Sequence, residues 1–179
     1  MDHADHVIRY PDPRLRRKAE PVGELTPELK ARIEAMFPLM YRSKGIGLAA
    51  PQLGWNVRLF VMNLTGEPKD ELALVDPEIV EEGGGTWVLE EGCLSLPGIY
   101  GKVKRDKRVV MRGRDLDGEQ VQVEAEGMVA RCMLHEFDHL DGILFIDRLS
   151  PVKKQSIKRR LRTLEEEFAD ERTEAPVSR

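Results

Sequence analysis

The chain carries 28 basic and 32 acidic side chains in 179 residues, a formal net charge of −4. So even a balance gives no general affinity for nucleic acid or a lipid surface, and two cysteines, Cys93 and Cys132, are too few for a disulfide scaffold and suit a reducing compartment. The opening "MDHADHVIRY" lacks the apolar core of a secretory signal, and no run approaches a membrane span, so the expectation is a single cytoplasmic domain over 1–179.

In chain order, "YPDPRLRRKAEPV" reads as an extended, Pro-punctuated lead-in. Thr26-Pro27-Glu28 then supplies an N-cap, a proline at the first helical position and an early acid. Leu29, Ile33, Met36 and Met40 recur at helical spacing and predict a helix to about Tyr41, with Pro38 expected to kink or shorten its last turn. "SKGIGLAAPQLG" has little helix or strand character and reads as a connecting loop before the strand-like "VRLFVMN". From "LALVDPEIV" through "TWVLEEGCLSLPG" to "RVVMRGRDLDGEQVQVEAEG" the pattern is of short β-rich runs broken by Gly, Pro and Asp, with Asp117-Gly118 as a hairpin turn.

Helix returns at about Met128 and stops at Gly142. After "ILFIDRLS", Pro151 opens a last helix, about 151–171, with an apolar stripe of Ile157, Leu161, Leu164 and Phe168. Its early residues Lys153, Lys154, Lys158, Arg159, Arg160 and Arg162 are basic, and Glu165, Glu166, Glu167, Asp170 and Glu171 follow. That order opposes the helix macrodipole, so docking of the stripe has to hold the helix. The core is expected over about 8–150, and the tail 172–179 is polar and expected to fray.

Within "MLHEFDHLDG", His135 and His139 lie four apart, with Glu136 directly after the first. On a helix such residues sit about 40° apart around the axis and about 6 Å apart along it, close enough to grip one ion. This is the HExxH pattern of metal-dependent hydrolases. A catalytic metal usually keeps three protein ligands and an open position. His3 and His6 lie in the terminal segment and are poor candidates for the third. Cys132 shares the helix face, but an ion between the histidines would lie about 7 Å further along the axis, beyond a short side chain and a roughly 2.3 Å metal–sulfur bond. Cys132 therefore reads as a small core residue. Cys93, in the Gly-flanked loop "EEGCLSLPG", has no such handicap and completes the inferred set of Cys93, His135 and His139. The competing arrangement takes a downstream carboxylate from Glu165, Glu166 or Glu167.

Three segments, "GIGLAAPQ" (45–52), "EGCLS" (91–95) and "HEFDHLDG" (135–142), resemble in this order the signature motifs of bacterial-type peptide deformylases, and "YPDPRLR" and "LFIDRLS" extend the likeness over about 8–150. The resemblance implies an α+β fold of mostly antiparallel β-sheets packed around a central HExxH helix, with an N-terminal and a C-terminal helix. It implies removal of the N-formyl group from formylmethionine at the start of new polypeptides, with release of formate. Carried over residue by residue, the metal ligands are Cys93, His135 and His139, and Glu136 is the general acid/base. The amide of Gln52 and the backbone N–H of Leu94 hold the formyl oxygen, and the backbone of Gly47 aligns the substrate as an added strand. Ile46, Leu89, Met128 and Cys132 are expected around the methionine side chain. The implied native metal is ferrous iron, with zinc, nickel or cobalt possible in preparations, since ligand spacing does not separate them.

Leu134 stands where most deformylases carry glutamine, which suggests altered support for the site rather than a lost ligand. The expected partners are N-formylmethionyl nascent peptides and, through the basic terminal helix, the ribosome; no membrane or DNA partner is expected. Met1-Asp2-His3 could chelate copper or nickel adventitiously. Two rivals predict different behaviour: an HExxH endopeptidase would cleave internal bonds and be indifferent to Cys93, and a formyl-peptide binder on the same fold would bind without turnover.

Overall fold

The structure is a computed structural model and describes residues 6–174. The chelating Met1-Asp2-His3 terminus and the last five tail residues lie outside the described residues.

Helix α1 (Pro27–Glu34) starts as expected, with the Thr26 hydroxyl accepting from Leu29 N–H. It ends earlier than its apolar spacing suggests, and α2 (Met36–Arg42) follows after a break at Ala35. Pro38 is the cause. Its nitrogen cannot donate to the carbonyl of Glu34, four residues back, and its ring crowds that carbonyl, so the interruption falls one turn upstream of the proline.

Five strands form one antiparallel sheet in the order β1-β2-β3-β4-β5: β1 (Gly47–Ala49), β2 (Leu59–Met62), β3 (Leu72–Gly92), β4 (Tyr100–Arg114) and β5 (Gln120–Glu126). With the helices this makes an α+β fold. Two expectations are corrected here. The segment read as a connecting loop contains β1, the edge strand, and a 3-10 turn over Ala50–Leu53. All three β1 residues are buried, so no alternation of polar and apolar positions betrays the strand. The short runs expected from Leu72 onward are instead one strand of 21 residues. Its Pro and Gly positions coincide with register shifts against β4, between Val75 and Glu78 and between Gly83 and Thr86. Asp76 (φ 51), Gly84 (φ 73) and Gly85 (φ 75) take the left-handed conformations of bulges, which bend a strand without ending it. Asp76 is also held by accepting from Val22 N–H at 2.7 Å and pairing with Arg114 at 2.5 Å.

Helix α3 (Gly127–Leu140) follows β5 directly and buries Ala130, Met133 and Leu140 against Phe60, Leu74, Val109 and Met111 of the sheet. Helix α4 (Pro151–Glu174) docks through Ile157 and Leu164 on Leu96, Ile99, Phe145 and Leu149, with Leu161 half-buried beside them. That burial supplies what the adverse charge order withholds. None of the described helices is long and apolar enough to cross a membrane. Leu164→Ala should lower the unfolding free energy by about 2–4 kcal/mol in urea titration, whereas Val152→Ala, at a position 82% exposed, should change it by less than about 0.5 kcal/mol.

Candidate active site

Helix α3 presents His135, Glu136 and His139, and the end of β3 delivers Cys93. One donor atom from each of Cys93, His135 and His139 lies within 4.8 Å of the others, the single such grouping among the described residues. Cys93 Sγ is 3.3 Å from His139 Nε2. Cys132 is not part of the group: it is buried, with Sγ 3.7 Å from the carbonyl oxygen of Ile46. The carboxylate alternative is not supported either. Glu165 accepts from Tyr10 Oη at 2.8 Å, and Glu166 and Glu167 pair with Arg162 and Arg160 on α4.

Gln52, 2% exposed, sits in the turn after β1. Its Oε1 accepts from Ala49 N–H at 2.9 Å, which fixes the amide orientation and turns Nε2 toward Cys93 Sγ (3.4 Å) and Ser95 Oγ (3.2 Å). The Leu94 N–H next to Cys93 has no hydrogen-bond partner among the described residues, so it remains available to an acceptor.

Around His135 lies a buried ionic cluster that motif reading assigned no role. Glu91 Oε2 is 3.0 Å from His135 Nδ1. Arg105 donates to both oxygens of Glu91, at 2.7 and 2.9 Å, and Arg131 adds a third contact at 2.5 Å. Arg105 also donates to Asp138 at 2.8 Å, and Arg148 closes on the same carboxylate from the other side. Burial alone would raise the Glu91 pKa, but His135 and the guanidinium of Arg105 more than offset it and hold this carboxyl far below its usual range. The signal available in sequence was slight: Glu91 lies two strand positions before Cys93, and Asp138 is one helical turn after His135.

Glu136 is 4% exposed and its Oε2 has no partner among the described residues. Burial pushes its pKa up to about 7, against the pull of His135 and Arg105. The carboxylate rests against the backbone of Gly47. A Cβ there would collide with Glu136 and come within 2.9 Å of Cys132 Sγ, so any side chain at this position of β1 would have to displace the Glu136 carboxylate and Cys132. Burial also drives the His139 pKa well below its usual value, which keeps the imidazole neutral and able to act as a ligand.

Gln52, Cys93, His135 and Glu136 line one cleft of about 860 Å³, together with Ile46, Leu94, Met128 and Cys132, whereas His139 is buried and outside this lining. Leu89 is the exception among the expected pocket residues: it shares a side of β3 with Glu91 but falls outside the lining. Leu134 turns away into the core of the sheet, beside a smaller cavity of about 280 Å³. Only its carbonyl serves the site, accepting from Arg105 at 3.3 Å.

The family model described as polypeptide deformylase matches residues 4–155. The chain belongs to this family. A peptide deformylase of Chromobacterium violaceum is 46% identical over 90% of this chain and 96% of its own length, and one of Hydrogenovibrio crunogenus is 49% identical over 86% and 90%. Among solved structures, the peptide deformylase of Plasmodium falciparum superposes with a TM-score of 0.89 at 39% identity, covering 92% of this chain and 98% of that one. The enzyme of Legionella pneumophila gives 0.84 at 39%, covering 96% and 98%. Family membership makes the chain a hydrolase of N-terminal protein processing.

Within this deformylase frame, Glu91→Gln leaves two buried guanidiniums undercompensated and should cost about 3–5 kcal/mol of stability. Because the folded pKa of Glu91 is depressed, its contribution is fully present above the unfolded value near 4.5 and is lost as pH falls below it, so the variant's deficit in urea titration should shrink toward acid pH. Gly47→Ala should reduce turnover by displacing the Glu136 carboxylate, with a rise in KM if β1 moves as well.

Proposed function

We propose that the chain removes the formyl group from N-formylmethionine of nascent polypeptides, releasing formate, with one divalent metal ion held by Cys93, His135 and His139. The observation that carries this reading is the convergence of one thiol and two imidazoles within 4.8 Å beside a buried carboxyl. The donors fit such an ion. His135 keeps Nδ1 on Glu91, the carboxylate support that metal-binding imidazoles commonly have, and so leaves Nε2 for coordination. A mixed sulfur and nitrogen set suits iron, zinc, nickel or cobalt, and ferrous iron is the proposed native metal by family likeness.

When bound, the cation supplies a lowered water pKa and so hydroxide near neutral pH. Glu136 takes the proton from the attacking water and returns it to the amine nitrogen as the formyl C–N bond breaks. A carboxyl placed near 7 by burial serves for both transfers. Gln52 Nε2 and the Leu94 N–H are oriented to stabilise the charge that grows on the formyl oxygen, an effect worth several kcal/mol as a class. Gln52→Glu would replace that donor with an acceptor. The Gly47 backbone on the sheet edge aligns the peptide by strand addition, and Ile46, Met128 and Cys132 receive the methionine side chain.

The chain is further proposed to act as one cytoplasmic catalytic domain. Exposed Lys158 and Arg159 on α4 support a contact with ribosomal RNA. Unaltered ribosome affinity in a Lys158→Glu, Arg159→Glu variant would remove that contact.

The test of the main reading is formate release from formyl-Met-Ala-Ser by protein prepared anaerobically with iron, beside Cys93→Ser and Glu136→Gln. Turnover in the parent and its loss in both variants is expected. A folded, metal-loaded parent without turnover would leave a binding protein, and cleavage of internal bonds independent of Cys93 would leave an endopeptidase. On the acid side kcat/KM should fall tenfold per pH unit, because protonated Glu136 accepts no further proton. The midpoint should lie at or below about 7, since a bound cation favours the carboxylate.

A further inference from the structure

The outer end of the cleft is basic. Arg9, Arg42 and Lys44 line it with exposed side chains, whereas Glu90 is the one exposed acid among the lining residues. None of the three cations has an ion-pair partner among the described residues. The contrast with the interior is sharp: Arg131, a buried residue of the same lining, is compensated by Glu91, which Arg105 also pairs with from outside the lining.

Local structure places two of these cations beside the path of a peptide. Helix α2 ends in a paired cap, with Gly45 N–H donating to Met40 O at 2.9 Å and Lys44 N–H to Tyr41 O at 2.9 Å. Lys44 occupies the left-handed position of this cap (φ 59), where glycine is the usual residue. The cap turns the chain into β1 and leaves Arg42 and Lys44 directly before the sheet edge. A peptide added along that edge has one way out. Leu48, Ala49 and Ala50 are fully buried and close one end, while Ile46 is 46% exposed at the other. Residues that follow the first side chain therefore leave past Ile46, toward Lys44 and Arg42.

We propose that Arg9, Arg42 and Lys44 select formylated peptides with acidic side chains directly after the formylmethionine, an inference that rests on the deformylase reading above. Complementary charge is the recognising chemistry. Each solvent-exposed pairing contributes a gain of roughly two- to fivefold, and the whole preference is screened by salt because the cations face water.

The test compares kcat/KM for C-terminally amidated formyl-Met-Ala-Ser, formyl-Met-Asp-Glu and formyl-Met-Lys-Arg on the iron-loaded enzyme. At low ionic strength the acidic peptide should exceed the basic one by roughly tenfold, mainly through KM, and the ratio should fall toward unity at about 1 M salt. The variant Arg42→Gln with Lys44→Asn should reduce the ratio at low salt; asparagine tolerates the left-handed cap conformation, so the turn is kept. The salt series on the unaltered enzyme tests the proposal even if that variant folds poorly. Equal rates for the charged peptides, or a preference for the basic one, would overturn the proposal. Loss of ribosome affinity in the variant with an unchanged peptide ratio would assign the cations to RNA and also overturn it. Failure of the neutral peptide to turn over would instead count against the deformylase reading itself.

Discussion

The site depends on one buried carboxylate. Glu91 joins β3 to β4 through Arg105 and to α3 through Arg131 and His135, and Arg105 carries the connection on to Asp138. Removing such charges from water costs several kcal/mol per ion, and only well-aimed contacts offset it. The cluster therefore tolerates little displacement, and it fixes both the rotation of α3 about its axis and its position along the β3–β4 hairpin. His135, Glu136 and His139 ride on that helix, and Cys93 lies two residues beyond Glu91. Geometry at the three donor atoms is inherited from the ionic cluster beneath them.

Apolar packing does a different task. Met133, Phe60, Leu74 and Met111 hold helix against sheet but leave rotation loosely specified, since hydrophobic contact has no strong direction. Close approaches add the missing restraint. Gly47 lets the edge strand meet the Glu136 carboxylate, and Gly142 (φ 70) lets the turn after α3 meet the carbonyl of Arg16, where a Cβ would stand 2.5 Å away. Ala19 N–H also donates to Leu140 O at 2.8 Å, so the N-terminal segment braces the C-terminal end of α3. The cleft thus has paired charge in its buried part, at Glu91 and Arg131, and cations without an ion-pair partner among the described residues, Arg9, Arg42 and Lys44, on its exposed part.

Much of the site was legible before the fold was known. The grouping of His135 and His139 could be read from their spacing because a helix places residues four apart on one face whatever surrounds it. Cys132 could be set aside on axial reach alone, and it is Cys93 whose sulfur lies within 4.8 Å of donor atoms of His135 and His139. Leu89 was expected in the methionine pocket and lies outside the lining, because a strand face says which side a residue shares and not how far along it the cleft extends. Neither Arg105 nor Arg131 could be singled out among the chain's basic residues, since nothing local separates a buried guanidinium from a solvated one.

Local sequence by itself determined the start of α1 at Thr26-Pro27, the extent of α3, the hairpin turn at Asp117-Gly118 and the stripe that docks α4, because each rests on interactions between near neighbours. Only the tertiary structure decided that Pro77 and Gly83 to Gly85 would bend one long strand rather than end several, and that Gly47 to Ala49 would form an edge strand. Those outcomes turn on pairing with strands distant in sequence, whose hydrogen bonds can override a local preference for a turn. The same holds for Glu91, whose partners lie 14, 40 and 44 residues away and meet it only once β3, β4 and α3 have packed.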